Sequence, residues 1–434
     1  MVAWGCVPMK ILFLTENFPP ETNASATRVY ERACFWVRWG HDVTVVTTAP
    51  NFPQGRLYQG YQNRWCQTEI VDGIRVVRVK SFMASNRGTL LRMLDFLSFM
   101  VTGTIAACRE PKPDAVAATS PQFFAAVAGW LVGAVRRVPF VFELGDIWPA
   151  SIVAVGALKE STALRLMERL ELFLYRRAAC VVALTPAFKR NLERRGIDPS
   201  KIAVVINGVD LDRYSPAKRD REFARAWGVE DAFVVGYVGT HGMAHGLANV
   251  LDAAERVRDR PRIRFMLVGD GAERDGLITA ANERGLDNVV FVPPQPKESM
   301  PAVWSVCDVA LVHLRNLETF TEVIPSKTFE AMAMGLPILL AAPDGEASRI
   351  LADDGAGVHV AAEDPAALAD AVRDLADNGD RRRALGQRAR DTAPRHTRER
   401  QAEEMLRTLQ LAADGQGAHA GEEPALDSAR PRLS

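Results

Sequence analysis

The chain has 434 residues, 48% hydrophobic and 24% charged, the composition of an ordinary globular protein with length for two domains or more. Its 53 basic side chains balance 53 acidic ones, so bulk electrostatics give no attraction to nucleic acid. The balance is uneven along the chain: residues 1–201 hold 25 Lys and Arg against 16 Asp and Glu (+9), and the remainder 28 against 37 (−9).

Residues 1–8, "MVAWGCVP", are too short for a signal peptide and are expected to be a loose extension, with Met9 as the natural start of the fold. Apolar strand-like runs then follow at 10–16, 42–48, 74–79, 114–120, 140–146, 180–185 and 202–208. A second series occupies 233–239, 263–271, 289–294, 308–314, 337–343 and 357–363. Near-continuous Val, Ile, Leu and Ala runs suit strands buried on both faces, and helix-length segments between them point to doubly wound parallel α/β sheets. Thirteen such runs exceed one comfortable sheet, and the cycle restarts after "INGVDLDRYSP" (206–216). The expected organisation is therefore a first Rossmann-like domain over 9–206 and a second over 207–393. A final helix, 394–412, is expected to cross back to the first domain, and 413–434 to be a disordered tail. Two such domains facing each other make a cleft at the carboxyl ends of their strands.

The six cysteines (6, 34, 66, 108, 180, 307) stand singly, which argues against a zinc site or disulfide framework and fits a reducing, cytoplasmic compartment. Two apolar stretches fall short of about 20 uninterrupted apolar residues and are not expected to span a bilayer. The first, 90–107, carries Arg92 and Asp95 and reads as a core helix or one that also touches lipid; the second, 123–135, reads as core. The basic first half suits an anionic surface such as the inner membrane for peripheral contact, and a chance fluctuation over long segments explains it equally well.

"EVIPSKTFEAMAMGLPILLAAP" (322–343) holds two glutamates eight positions apart. Pro325 suits a first helical position and Gly335 a C′ position, predicting a helix over 325–334 with Phe329, Met332 and Ala333 facing inward. The amides of Ser326 and Lys327 then lack intrahelical acceptors and suit a phosphate. Glu330 would accept hydrogen bonds from ribose hydroxyls, and Glu322 would lie toward a sugar. An exposed Lys327–Glu330 pair beside an unrelated acid explains the same spacing equally well.

The E-x7-E pattern with "AMAMGLPIL", together with "MKILFLTENFPP", "GHDVTVVT" (40–47), 181–214 and 268–292, resembles the family 4 retaining glycosyltransferases of the GT-B fold. "FELGDIWPASIVAVG" (142–156) and 237–254 look like the bacterial branch that extends lipid-linked surface glycans, including fucosaminyltransferase-like enzymes. The resemblance implies a UDP-sugar donor, a polyprenyl-linked or glycan acceptor, no nucleic-acid partner and no cofactor or divalent metal. It implies retention by front-side attack, the departing phosphate oxygen taking the acceptor proton, with domain closure excluding water. Glu330 matches the ribose-binding glutamate, Glu322 the glutamate beside the donor sugar, and the 326–327 amides the diphosphate cradle. Gly239 and Gly246 match a glycine loop in which the family carries an Arg and a Lys; here the positions read Thr240 and His245. His241 or His245 would then serve by N–H donation or as imidazolium.

On the acceptor side, Asn23 and Ser25 are small enough for close backbone approach. Arg28 would meet an acceptor phosphate or simply be a solvated helix residue. Asp146, at a strand end, joins Glu322 as an expected catalytic residue, with Trp148 as an acceptor platform; core or turn roles are the alternative for both. "VGDG" (268–271) reads as a strand–helix turn, and Asp353–Asp354 as a cap or solvated turn. A nucleotide-sugar epimerase or a non-catalytic relative would share the fold.

Overall fold

The structure, a computed structural model, describes residues 7–52, 54–83, 89–120, 123–147 and 162–416. Trp148, Arg87, residues 1–6 and the tail from 417 onward lie outside the described residues. The described residues divide into two compact units, one formed by those up to 147, by 162–206 and by 401–416, the other by 207–400.

The first unit carries an eight-stranded sheet. Its strands are β1 (Lys10–Leu14), β2 (Asp42–Thr48), β3 (Cys66–Val71), β4 (Ile74–Val79), β5 (Ala115–Thr119), β6 (Phe140–Leu144), β7 (Cys180–Ala183) and β8 (Ile202–Val204). They lie in the order β3-β4-β2-β1-β5-β6-β7-β8. All neighbours are parallel except β3 and β4. The helices are α1 (Ala24–Arg38), α2 (Thr89–Arg109), α3 (Phe123–Arg136), α4 (Thr162–Arg177) and α5 (Pro186–Arg194). The chain leaves β1 to build one side of the sheet and returns through β5 to build the other, so the β1/β5 border is the topological switch point where such sheets take ligands.

β3 was not expected from sequence. It is an antiparallel edge strand whose residues are all exposed or half-buried in alternation, so it lacks the continuous apolar run that marks the buried strands. Its signal lies in the turn instead: Asp72 and Gly73 take φ of 49° and 81°, the pair of positive values that a two-residue hairpin demands of Asp-Gly.

α2 differs from the core-helix expectation. It packs along α3 and over β2 and β4, yet only 22% of its most apolar stretch is buried. By length and composition, though on no other ground, Leu91–Arg109 is apolar enough to cross a membrane. α3 is buried along most of its length, as its composition predicts.

The second unit carries β9 (Phe233–Val238), β10 (Ile263–Val268), β11 (Val289–Val292), β12 (Val309–His313), β13 (Ile338–Ala341) and β14 (Gly357–Val360). Their order is β11-β10-β9-β12-β13-β14, parallel throughout, with the switch point between β9 and β12. Its helices are α6 (Arg221–Ala226), α7 (Ala248–Arg256), α8 (Arg274–Glu283), α9 (Met300–Ser305), α10 (Lys327–Ala333), α11 (Glu346–Asp354), α12 (Pro365–Asp377) and α13 (Gly379–Thr392). The last helix, α14 (Arg398–Ala413), buries Ala402, Met405, Leu409 and Ala412 in the core of the first unit. There Trp36 Nε1 donates to Ala402 O at 2.9 Å. Asp354 is neither a cap nor a solvated turn: it ends α11 buried, 2.7 Å from His396 and 3.4 Å from Arg395.

Candidate functional site

In the second unit, several residues singled out in the sequence meet at the carboxyl ends of β9 and β12. α10 begins at Lys327, with Ser326 already at helical angles (φ −61°, ψ −28°) and Pro325 O accepting from Thr328 N at 3.0 Å. Its start is thus two residues later than the proline suggested, a difference of the size at which helix ends fray. Gly335, at φ 71°, closes the helix with its N–H on Met332 O at 2.9 Å. Phe329, Met332 and Ala333 are buried, as their spacing predicts, which fixes the orientation of Lys327 and Glu330 on the other face.

Lys327 and Glu330 are not an exposed surface pair. Lys327 is half-buried as a residue, but its Nζ is sealed from solvent and has no hydrogen-bond partner. The amine lies 3.7 Å from the centre of the Tyr237 ring. A Cβ on Gly239 would come within 2.7 Å of Nζ; glycine, at φ 145°, leaves the amine room under the turn. Burial pulls the Lys327 pKa down to about 7, with Glu330 pulling the other way. Glu330 is half-buried, and the buried Trp304 on α9 donates its Nε1–H to Oε2 at 3.2 Å. Glu322 sits half-buried at the end of a 3-10 turn, Glu318–Glu322, ahead of the helix.

The loop after β9 is held by backbone. Tyr237 donates its hydroxyl to Thr240 O at 2.8 Å, leaving the Thr240 side chain on the exposed surface. His241 N donates to Asp270 O at 2.8 Å, and His241 O accepts from Glu273 N at 2.9 Å. Gly269 and Gly271 explain the "VGDG" turn: a Cβ there would stand 1.9 Å from Gly239 O and 2.3 Å from His241 O. Those glycines let the β10 loop support the β9 loop. Gly246 takes the left-handed conformation, φ 53° and ψ 42°.

His241 is buried with both ring nitrogens unpartnered. Burial, then Arg274 and Lys327, push its pKa down to about 4. His245, with Nδ1 3.4 Å from His313 O, is pushed down to about 3, again by burial first and Lys327 next. In the empty site burial keeps both rings neutral near pH 7, which favours N–H donation over the imidazolium alternative there. Two further members escaped the sequence reading. His313, at the end of β12, is buried between His245 O (2.6 Å) and Asn249 Oδ1 (2.9 Å). Tyr237 is an aromatic residue inside a strand whose pattern signals only core. No cluster of three metal-ligating side chains occurs among the described residues.

In the first unit, a second polar group lies at the ends of β5 and β6. Asn23 caps α1, accepting from Ala26 N at 2.9 Å, while its Nδ2 and the Ser25 hydroxyl are buried without partners. Arg28 is not a solvated helix residue. It is buried, 3.1 Å from Glu143 Oε1 and 3.1 Å from Thr119 Oγ1, and 3.0 Å from where a Gly145 Cβ would stand. Arg32 holds Glu143 in a two-pronged pair at 2.8 and 3.0 Å. Asp146 follows on the same strand end, half-buried, its backbone N–H 3.4 Å from Ser120 Oγ. Glu143 and Arg32 were missed in the sequence because their pairing joins positions 111 residues apart.

Two family models match the chain in succession: a glycosyl transferase 4-like domain over residues 23–208 and glycosyl transferases group 1 over residues 219–392. The Escherichia coli (strain K12) protein named "Putative colanic acid biosynthesis glycosyl transferase WcaI" is 26% identical over 335 residues, 75% of this chain and 82% of its own. A GDP-mannose-dependent alpha-mannosyltransferase of Mycobacterium tuberculosis (strain CDC 1551 / Oshkosh) is 27% identical over 79% of this chain and 81% of its own. Among solved structures, Anabaena Alr3699/HepE in complex with UDP and glucose matches with a TM-score of 0.71 at 20% identity, covering 93% of this chain and 99% of that one. At that identity the likeness shows the fold, which is GT-B.

Proposed function

The chain belongs to the family 4 glycosyltransferases of the GT-B fold, and on that premise we propose that it moves a sugar from a UDP-linked donor, with retention, to a polyprenyl-linked glycan. The observation that carries the donor side is the buried amine of Lys327 under the Gly239 turn, with Glu330 one helical turn away. A diphosphate over the turn would face Lys327, the Ser326 and Lys327 amides, Thr240, Gly246 and the neutral N–H groups of His241 and His245. Fixed donors aimed at a leaving diphosphate stabilise the charge that grows there in the transition state. Glu330 would take the ribose hydroxyls. Glu322 would lie at the sugar, and no protein nucleophile is required if the departing phosphate oxygen accepts the proton.

Asn23, Ser25, Arg28 and Asp146 make up the acceptor side of this reading, together with Trp148. Supporting it are the unpartnered Asn23 Nδ2 and Ser25 hydroxyl, because buried polar groups without partners cost free energy until something pairs with them. Glu322→Ala tests the division of labour. Turnover should fall by about 100-fold or more, at roughly unchanged UDP affinity, since its partner is the sugar. Collapse of UDP binding with turnover preserved at saturating donor would reverse the roles of Glu322 and Glu330.

The acceptor's lipid suggests peripheral membrane contact through α2. Leu91, Leu94, Val101 and Ile105 are 44–52% exposed and follow one another at spacings of three, seven and four residues, one stripe of the helix. Phe82, also exposed, joins them through its N–H on Ser98 Oγ at 2.7 Å. Phe96 is half-buried and stands outside that stripe. Replacing Leu94, Val101 and Ile105 with Ser removes roughly 1 kcal/mol of lipid contact each. Sedimentation with anionic liposomes at low salt should weaken by about 100-fold while UDP affinity is kept. Unchanged sedimentation, or none by the wild type, would contradict this face as the membrane contact.

A further inference from the structure

Lys327 Nζ presents a physical problem: a buried amine with three hydrogen-bonding directions and no acceptor. The Tyr237 ring face, 3.7 Å away, satisfies one direction at most. Titratable groups surround it. α10 gives Glu330, β9 gives Tyr237, the loop after β9 gives His241 and His245, and β12 gives His313. The three imidazoles are neutral near pH 7, and the Tyr237 hydroxyl donates to Thr240 O. The Glu330 carboxylate is drawn toward the Trp304 indole. The residues of the loop itself therefore bring no second cation, Thr240 and His245 being uncharged; outside it Arg274 bears on His241 and donates to Gly269 O at 3.2 Å, and the Arg315 side chain packs against Gly246.

We propose that the donor's diphosphate binds over the Gly239 turn with Lys327 Nζ beneath it, and that each binding event carries one proton from solvent onto that amine. The proposal rests on the donor reading given above and adds the proton to it. The amine lone pair takes the proton as the anion arrives and returns it to solvent when the nucleoside diphosphate leaves; no other bond changes. In the empty site, burial holds the Lys327 pKa down to about 7. An anionic charge about 4 Å away, in a medium of effective dielectric about 20, shifts a protonation equilibrium by about a thousandfold. That is enough to keep the amine charged in the complex at pH 8 to 9, where the free site has lost its proton. The sign follows: affinity for the diphosphate is highest below pH 7 and falls as pH rises above it, by about tenfold per pH unit.

The test is calorimetry of UDP, and separately GDP, binding to the full chain at pH 8.5 in two buffers of different ionisation enthalpy. At that pH the free nucleotides have no terminal-phosphate proton to lose. The wild type should take up close to one proton per nucleotide. Lys327→Met should take up none and bind about 10- to 100-fold more weakly at pH 7. Lys327→Arg, always charged, should take up none and show affinity flat from pH 7 to 9. Should either variant fail to fold, NMR titration of the wild-type Lys327 amine reads the same event, its midpoint moving upward when UDP is added. Nucleotide binding without proton uptake by the wild type, or uptake that persists in Lys327→Met, overturns the proposal. No binding of either nucleotide overturns the donor reading on which it rests.

Discussion

Glu330→Ala is expected to lower UDP affinity by about 100-fold or more, the largest single loss at the proposed donor site. Two ribose hydrogen bonds to a carboxylate contribute roughly 1.5–3 kcal/mol each, and their partial non-additivity sets the lower figure. The same side chain also accepts from the buried Trp304 indole at 3.2 Å, so alanine leaves that N–H without its partner and costs about 1–3 kcal/mol of stability. Glu330→Gln separates the two effects. Its amide oxygen still accepts from Trp304, so unfolding should return near the wild-type midpoint while affinity stays reduced. Undiminished UDP affinity in both variants would remove Glu330 from the site.

Glu143→Ala is expected to destabilise the first unit by about 3–5 kcal/mol, because it strands two buried guanidinium groups. Glu143 is fully buried, 3.1 Å from Arg28 and 2.8 Å from Arg32, and Arg32 also lies over the Phe13 and Trp36 rings. Burial alone would raise the Glu143 pKa; Arg32, and then Arg28, reverse that and hold it at about 2, against an ordinary value of 4.5. A carboxyl lowered on folding stabilises the native state fully above its unfolded pKa. That stability, about 3 kcal/mol, is lost as pH falls from about 4.5 through 2. Urea unfolding of the wild type should show this slope, and Glu143→Ala should lack its share. A variant as stable as the wild type at pH 7 would mean the two arginines find other partners.

What was legible in the sequence was mostly local. The buried parallel strands announce themselves as unbroken Val, Ile and Leu runs, and α10 through its inward Phe329, Met332 and Ala333 and its Gly335 stop. β3 escaped because an edge strand with alternating exposure carries half the apolar signal, although Asp72-Gly73 marked its turn. Spacing placed Lys327 and Glu330 together but left open whether they were a surface pair; the Tyr237 ring and the Gly239 turn, some ninety positions earlier, decide that. Arg28 shows the same limit. Its helix was readable, but its buried partner Glu143 lies 115 residues away, and no periodicity reports such a distance. The histidines beside Lys327 were visible as residue types, whereas their neutrality follows from burial.

The most direct test of the account is turnover by the purified chain, supplied with UDP- and GDP-sugars and a polyprenyl-diphosphate-linked glycan, with products read by mass. The predicted result is an acceptor heavier by one sugar residue, with nucleoside diphosphate released in equal amount, in the presence of a strong chelator as in its absence. Activity should be lost in the Glu322→Ala, Glu330→Ala double variant, which should still be folded by circular dichroism. Transfer that persists in the double variant would move the donor site away from α10, and no transfer from any nucleotide sugar would contradict the account at its centre.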